Sequence, residues 1–226
     1  MTRLIVTIDG PAGVGKSTVA PELARRMGIA FLDTGAMYRA VTLAALRSGI
    51  DLTQPDRLAE ILDRVRFDFR ADGTRMLASI DGCDVTEDIR DPNVTENVRY
   101  VADAPQMRAR LVEMQRQFAC EQGAVVTEGR DQGTVAFPDA DFKFFLTADL
   151  DERARRRKVQ LGTRGESLGF ERIRSDIHCR DSRDQTRAVG ALTPAADAIH
   201  IDTTNLTVEQ VVQKMLDCIG NRISPH

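Results

Sequence analysis

The chain has 226 residues, 42% of them apolar, with 31 basic against 34 acidic side chains and a net charge of −3. That length suits one domain with small insertions and a sizeable buried core. The slight acidity argues against nucleic acid as a partner, and no apolar run is long enough to span a membrane.

The chain enters its first predicted strand at once, so no secretory leader is expected. Leu4-Ile5-Val6-Thr7-Ile8 is apolar and rich in β-branched residues, which predicts a buried strand. Gly10-Pro11-Ala12-Gly13-Val14-Gly15-Lys16-Ser17 follows and fits G-x-x-x-x-G-K-[ST], the phosphate-binding P-loop. Its glycines let the backbone wrap phosphates, and its N–H groups form an anion nest. Lys16 would supply a point charge toward the β- and γ-phosphates, and the Ser17 hydroxyl suits Mg²⁺. A helix from Ser17 to Met27, closed by Gly28, adds its positive end to the same place. Lysine is rare here: only Lys16, Lys143, Lys158 and Lys214 occur. The lysine at 16 is therefore telling, and any single arginine is not.

Ala30-Phe31-Leu32 predicts a short strand ending at Asp33, and a helix from about Ala36 to Arg47 stops at Gly49. Pro55 to Arg64 reads as one helix. Val65 to Phe69 and Arg75 to Ile80, with turns at Asp72-Gly73 and Asp81-Gly82, predict a small antiparallel insertion over 65–90. Helices from Pro92 to Ala102 and from Pro105 to Gln122 lead to strands at Ala124 to Thr127 and Phe142 to Leu146. A charged helix from Asp151 to Leu161, a polar loop from Gly162 to Gly169 and a helix from Phe170 to about Asp184 follow. A strand at Ala198 to Ile201 and a helix from Val208 to Gly220 end the chain. Five core strands alternating with helices predict an α/β fold with a parallel sheet covered on both faces. Cys83, Cys120, Cys179 and Cys218 form no C-x-x-C pair, which suits reduced thiols in a cytoplasmic protein. Three histidines offer no zinc spacing.

Further signatures fall where strands end, the ligand-binding edge of an open α/β sheet. IDGPAGVGKST, LDTGAMYR, EGRDQGTVAFPDA and RDSRDQTRAV occur in this order. Together they resemble the bacterial-type cytidylate kinases, and the resemblance runs from residue 4 to about 220. It implies a three-layer P-loop kinase fold with a five-stranded parallel sheet and a single kinase unit over 1–226. It also implies a monophosphate-binding region over 35–104, which includes the antiparallel insertion, and a lid over 151–170. The implied activity is transfer of the ATP γ-phosphoryl to CMP or dCMP, with Mg²⁺, by a monomer without nucleic-acid or membrane partners. ATP would sit on Gly10 through Ser17 and Thr18. The CMP phosphate would meet Arg39, Arg130 and Arg187; the ribose Tyr38, Arg180 and Asp184; the cytosine Thr34, Arg108 and Asp131. Arg99 stands where some relatives have serine near the base and ribose.

The residues support these roles on their own chemistry. A carboxylate can accept from the cytosine N4 amino group, so Asp131 suits the base; its alternatives are a helix N-cap or an ion pair with Arg130. Uracil would face that carboxylate with an acceptor, at a cost of roughly 1–3 kcal/mol. Arg180, Asp184 and Arg187 have the i, i+4, i+7 spacing of one helical face, which also fits a solvated ion-pair face. In the basic run from Arg153 to Lys158, Arg153 and Arg157 are the favoured phosphate partners. Asp33 and Glu128 either orient waters on Mg²⁺ or cap loops. The acceptor is a phosphate oxygen, largely ionised near neutrality, so no general base is required. Kinases for UMP or AMP, and an ATPase switch module, stay open as alternatives.

Overall fold

A computed structural model describes residues 4–73, 75–163 and 168–223. In chain order it runs β1 (Leu4–Asp9), α1 (Lys16–Met27), β2 (Ala30–Asp33), α2 (Thr34–Arg47), α3 (Pro55–Ala59), α4 (Ile61–Arg64), β3 (Phe67–Asp72), β4 (Arg75–Ile80) and β5 (Cys83–Asp84). It continues through α5 (Pro92–Asp103), α6 (Pro105–Gln122), β6 (Ala124–Gly129), β7 (Phe142–Thr147), α7 (Leu150–Gly162), α8 (Phe170–Thr186), β8 (Ile199–Asp202) and α9 (Val208–Ile223). A 3₁₀ turn lies at Asp88–Arg90 and a π-helical turn at Gln132–Ala136.

Among the described residues the main sheet is five-stranded and parallel, in the order β2-β6-β1-β7-β8. Its strands β1, β6 and β7 are near-continuous apolar runs buried along their length, the pattern of a sheet covered on both faces. The register sets Val6 against Phe142 and Asp9 against Phe145, then Phe145 against His200 and Thr147 against Asp202. The expected fold class is therefore the observed one.

The chain divides into two compact units, one carrying the residues up to Ile5 with Ala24–Thr127, the other Val6–Leu23 with the chain from Glu128 onward. In the first, α2 buries ten of its fourteen residues. It starts at Thr34, two residues before the expected position, because the Asp33 carboxylate accepts from the Ala36 N–H at 2.8 Å. That cap overrides the low helix propensity of Gly35. The predicted antiparallel insertion is present: β3 and β4 pair from Phe67↔Ile80 to Asp72↔Arg75. A third strand, β5, joins them through Ile80↔Cys83 and is too short for alternation to reveal it. The single helix expected over 55–64 is two pieces broken at Glu60. Each piece buries one apolar side chain, Leu58 or Ile61, which is little to sustain a continuous helix.

In the second unit, α7 and α8 pack through Ala154, Leu161, Ile173 and Ile177, with Leu150 and Phe170 against them. Residues 164–167 of the expected polar loop lie outside the described residues. Helix α8 ends at Thr186, and Arg187 is already extended (φ −59°, ψ 135°). The three-residue face expected for Arg180, Asp184 and Arg187 is thus helical only through Asp184.

β1 delivers Gly10 against β7 with no room for a side chain. A Cβ there would stand 2.3 Å from the Leu146 carbonyl oxygen, and its φ of +149° disfavours any L side chain. Gly10→Ala is expected to cost at least about 2 kcal/mol in urea unfolding. An unchanged midpoint would mean that the loop can leave β7 freely.

Candidate active site

The loop between β1 and α1 turns through positive φ at Gly10, Gly13 and Gly15. Thr18 and Val19 N–H groups both donate to the Gly15 carbonyl at 3.0 Å, which starts the helix. Ser17 and Thr18 are exposed at that helix start, while Lys16 is buried. The Lys16 Nζ donates to the carbonyls of Gly10 (2.7 Å) and Pro11 (2.9 Å), folding back on its own loop. Burial, and then the Arg130 charge, lower the Lys16 pKa to about 7; Glu128 and Asp9 pull it back up, and Arg180 adds to the depression.

Asp9 ends β1. Its two oxygens accept from the backbone N–H groups of Gln132 (2.9 Å) and Gly133 (2.7 Å), which open the π-helical turn after β6. This pins the segment that presents Arg130 and Asp131. Gly133 is closely packed: a Cβ would stand 3.0 Å from the Thr7 hydroxyl. Burial pushes the Asp9 carboxyl up to about 6 despite those two bonds, with Asp131 raising it further and Lys16 lowering it.

Three arginines share one carboxylate nearby. Arg130 Nε donates to Asp184 Oδ2 at 2.8 Å and Arg187 Nη2 to Oδ1 at 2.7 Å. Burial alone would raise the Asp184 pKa, but Arg130, Arg180 and Arg187 outweigh it and hold it below the usual carboxylate range. Asp131 and Glu128 are buried, and Arg180 is exposed. Asp131 occupies the N-cap position of the π-helical turn without a side-chain capping bond.

The basic run on α7 divides its labour differently from its spacing. Arg153 turns inward, donating to the carbonyls of Ala12 (3.1 Å) and Ala148 (3.1 Å) and pairing with Asp181. Arg157 bonds Gln160 at 2.7 Å. It is Arg156, passed over in the sequence, that joins Arg153 at the loop: it reaches the Val14 carbonyl (3.4 Å) and the Thr203 carbonyl (2.6 Å).

The first unit gathers the remaining expected residues on α2 and α6. Arg39 Nη2 donates to Asp33 Oδ2 at 3.1 Å, and the Arg39 Nε is buried without a hydrogen-bond partner among the described residues. Asp33 thus caps α2 and holds Arg39. The buried Arg108 donates to the Ala102 carbonyl (3.0 Å) and lies 5.5 Å from the Tyr38 ring centroid, a cation–π distance. Thr34 and Tyr38 are buried in the first turns of α2. Arg99 is exposed and engaged with its neighbour Tyr100.

A family model described as cytidylate kinase matches residues 6–221. The chain is 47% identical to the cytidylate kinase of Desulfitobacterium hafniense (strain Y51), over 98% of this chain and 94% of that protein. The chain belongs to the cytidylate kinase family. Its identity to the Limosilactobacillus fermentum cytidylate kinase is 49%, over 93% of this chain and 92% of that protein. A solved structure of an uncharacterized Eubacterium ventriosum protein shares the fold alone (TM-score 0.53, 15% identity, 97% and 99% of the two chains). Membership of this family makes the chain an enzyme of the nucleoside monophosphate kinase class. Among the described residues no helix is long and apolar enough to cross a membrane.

Asp9, Arg156, Asp181 and Thr203 were not singled out from the sequence. Asp9 had a signal, a lone carboxylate closing a buried strand directly before the P-loop. Its test is the pH dependence of stability. A carboxyl whose folded pKa is raised loses stability as pH climbs from its unfolded value, near 4, to its folded one, about 6. Urea melts of the wild type against Asp9→Asn should therefore show the wild type losing ground between pH 4 and 6, by at most about 1.4 kcal/mol per pH unit. A flat difference would mean that Asp9 ionises normally.

Proposed function

We propose that this chain transfers the γ-phosphoryl group of ATP to CMP or dCMP. The observation that carries the acceptor side is the group of three arginines, Arg130, Arg180 and Arg187, that acts on the single carboxylate of Asp184. Three guanidinium groups gathered around one carboxylate form a cluster of donors suited to a phosphate dianion. Arg39, with a buried Nε donor to spare, is assigned to the same phosphate. Following the resemblance, Tyr38, Arg180 and Asp184 are assigned to the ribose, and Thr34, Arg108 and Asp131 to the cytosine.

On the donor side, Gly10 through Thr18 are assigned to the ATP phosphates. Lys16 would exchange its two carbonyl partners for phosphate oxygens. The exposed Ser17 hydroxyl and the buried Glu128 carboxylate are hard oxygen donors that fit Mg²⁺, Ser17 directly and Glu128 through water. When bound, the ion supplies charge neutralisation between the β- and γ-phosphates. The acceptor oxygen is already ionised, so this chain's part is positioning and charge stabilisation. Residues 151–170, Arg157 among them, are assigned to a lid that excludes water, and 35–104 to the monophosphate-binding region. The reading carries with it a cytoplasmic monomer that works without nucleic acid.

Turnover with CMP, dCMP, UMP and AMP in a coupled assay tests the reading. CMP and dCMP should be the best acceptors, and a better rate with UMP or AMP would overturn it. Hydrolysis indifferent to CMP would favour an ATPase module instead. Asp131→Ala should lower the CMP-to-UMP preference about tenfold or more, the equivalent of one lost polar contact, with a smaller effect on ATP binding. An unchanged preference removes Asp131 from the base pocket.

Lys16 gives a second test. With a pKa of about 7, Lys16 resting on its own loop carbonyls is mostly neutral at pH 8. Phosphate oxygens restore its charge, so ATP binding should take up a proton, approaching one at pH 8 and little at pH 6. Titration calorimetry in buffers of different ionisation enthalpy measures this directly. Proton release at pH 8 would contradict the assignment.

A further inference from the structure

One peptide of the P-loop is gripped on both sides by a buried ion pair. The Ala12 N–H donates to Asp181 Oδ1 at 3.2 Å, and the Ala12 carbonyl accepts from Arg153 Nη1 at 3.1 Å. Arg153 and Asp181 also bond each other, and both residues are under 9% exposed. The stem of Arg153 lies close under the loop, since a Cβ on Gly13 would meet its Cβ at 3.1 Å. A nest directs its N–H groups at phosphate, yet at Ala12 the donor is spent on a carboxylate. A carboxylate beside a triphosphate repels it unless a cation stays paired with it, and Arg153 is that cation.

The two partners come from different helices. Arg153 stands on α7 and Asp181 on α8, and these helices pack through Ala154, Leu161, Ile173 and Ile177. Arg153 lies within residues 151–170, the region assigned to the lid, and Asp181 lies beyond it. Loop curvature and the position of the helix pair are thus joined at one peptide.

We propose that Arg153 and Asp181 form a single positioning pair that holds the P-loop in its nucleotide-accepting curvature and couples α7 and α8 to nucleotide binding. Arg153 then acts through Ala12 rather than on the transferring phosphate. The proposal rests on ATP being the ligand of this loop and is independent of CMP being the acceptor.

The test is a double-mutant cycle on the full chain, read by titration calorimetry with ATP and by steady-state kinetics. Arg153→Ala, Asp181→Ala and the double variant should each weaken ATP binding by a similar factor, about tenfold, with the double no worse than either single. KM for ATP should rise more than KM for CMP. Asp181→Asn keeps an acceptor for Ala12 and should fall between wild type and Asp181→Ala, and it serves should the alanine variant not fold. Three results would overturn the pair. One is a collapse of kcat in Arg153→Ala with near-normal Asp181→Ala, which makes Arg153 a direct phosphate partner. Another is effects that multiply in the double variant. The third is lowered thermal stability with unchanged ATP affinity. If ATP binding follows the expected cycle while CMP is not phosphorylated, the pair stands and the assigned acceptor falls.

Discussion

A site for a highly charged anion has to exist empty, and its charges have to be tolerated in a buried place before the anion arrives. That constraint organises the second unit. Several charges there have an internal partner that a substrate can replace or that keeps them in position. Lys16 rests on two carbonyls of its own loop. Arg130 and Arg187 rest on Asp184, Arg153 on Asp181, and Asp9 on two backbone N–H groups. Removing any one of these partners would leave an uncompensated charge, which costs more than the bond itself is worth.

The same arrangement explains why the ionisable groups depart from their ordinary behaviour in opposite directions. Asp9 has N–H partners but no arginine bonded to it, and burial prevails. Asp184 is also buried, but three guanidinium groups reverse the outcome. Lys16 is lowered because it is buried, with only neutral carbonyls bonded to it, and because Arg130 stands near. The fold thus places acids and bases from β1, α1 and α8 near one another and sets each by its neighbours.

Most of the architecture was readable because local pattern and tertiary role agree. The apolar run of β1, the glycine loop and the helix after it are each specified by nearby residues. So is the antiparallel pair around Asp72-Gly73. The departures share one cause: side-chain bonds, some local and some distant in sequence, that periodicity does not encode. Asp33 starts α2 early through a cap, and Arg187 leaves the helix yet keeps Asp184 by reaching back to it. On α7 the loop carbonyls accept from Arg153 and Arg156, a pairing that residue spacing does not indicate. The expected residues on α2 and α6 were identifiable by motif, whereas the contact of Arg108 with Tyr38 required the fold.

The Val14 carbonyl in the P-loop accepts from the hydroxyl of Thr203 at 3.1 Å, a contact that spans 189 residues. Thr203 also binds the Thr147 carbonyl at the end of β7. The loop is therefore buttressed by residues translated long after it. During synthesis the N-terminal segment emerges long before the strands that flank and brace it. This brace cannot form on the ribosome until the chain through Thr203 has been made, so a chain that stops short of it lacks the contact.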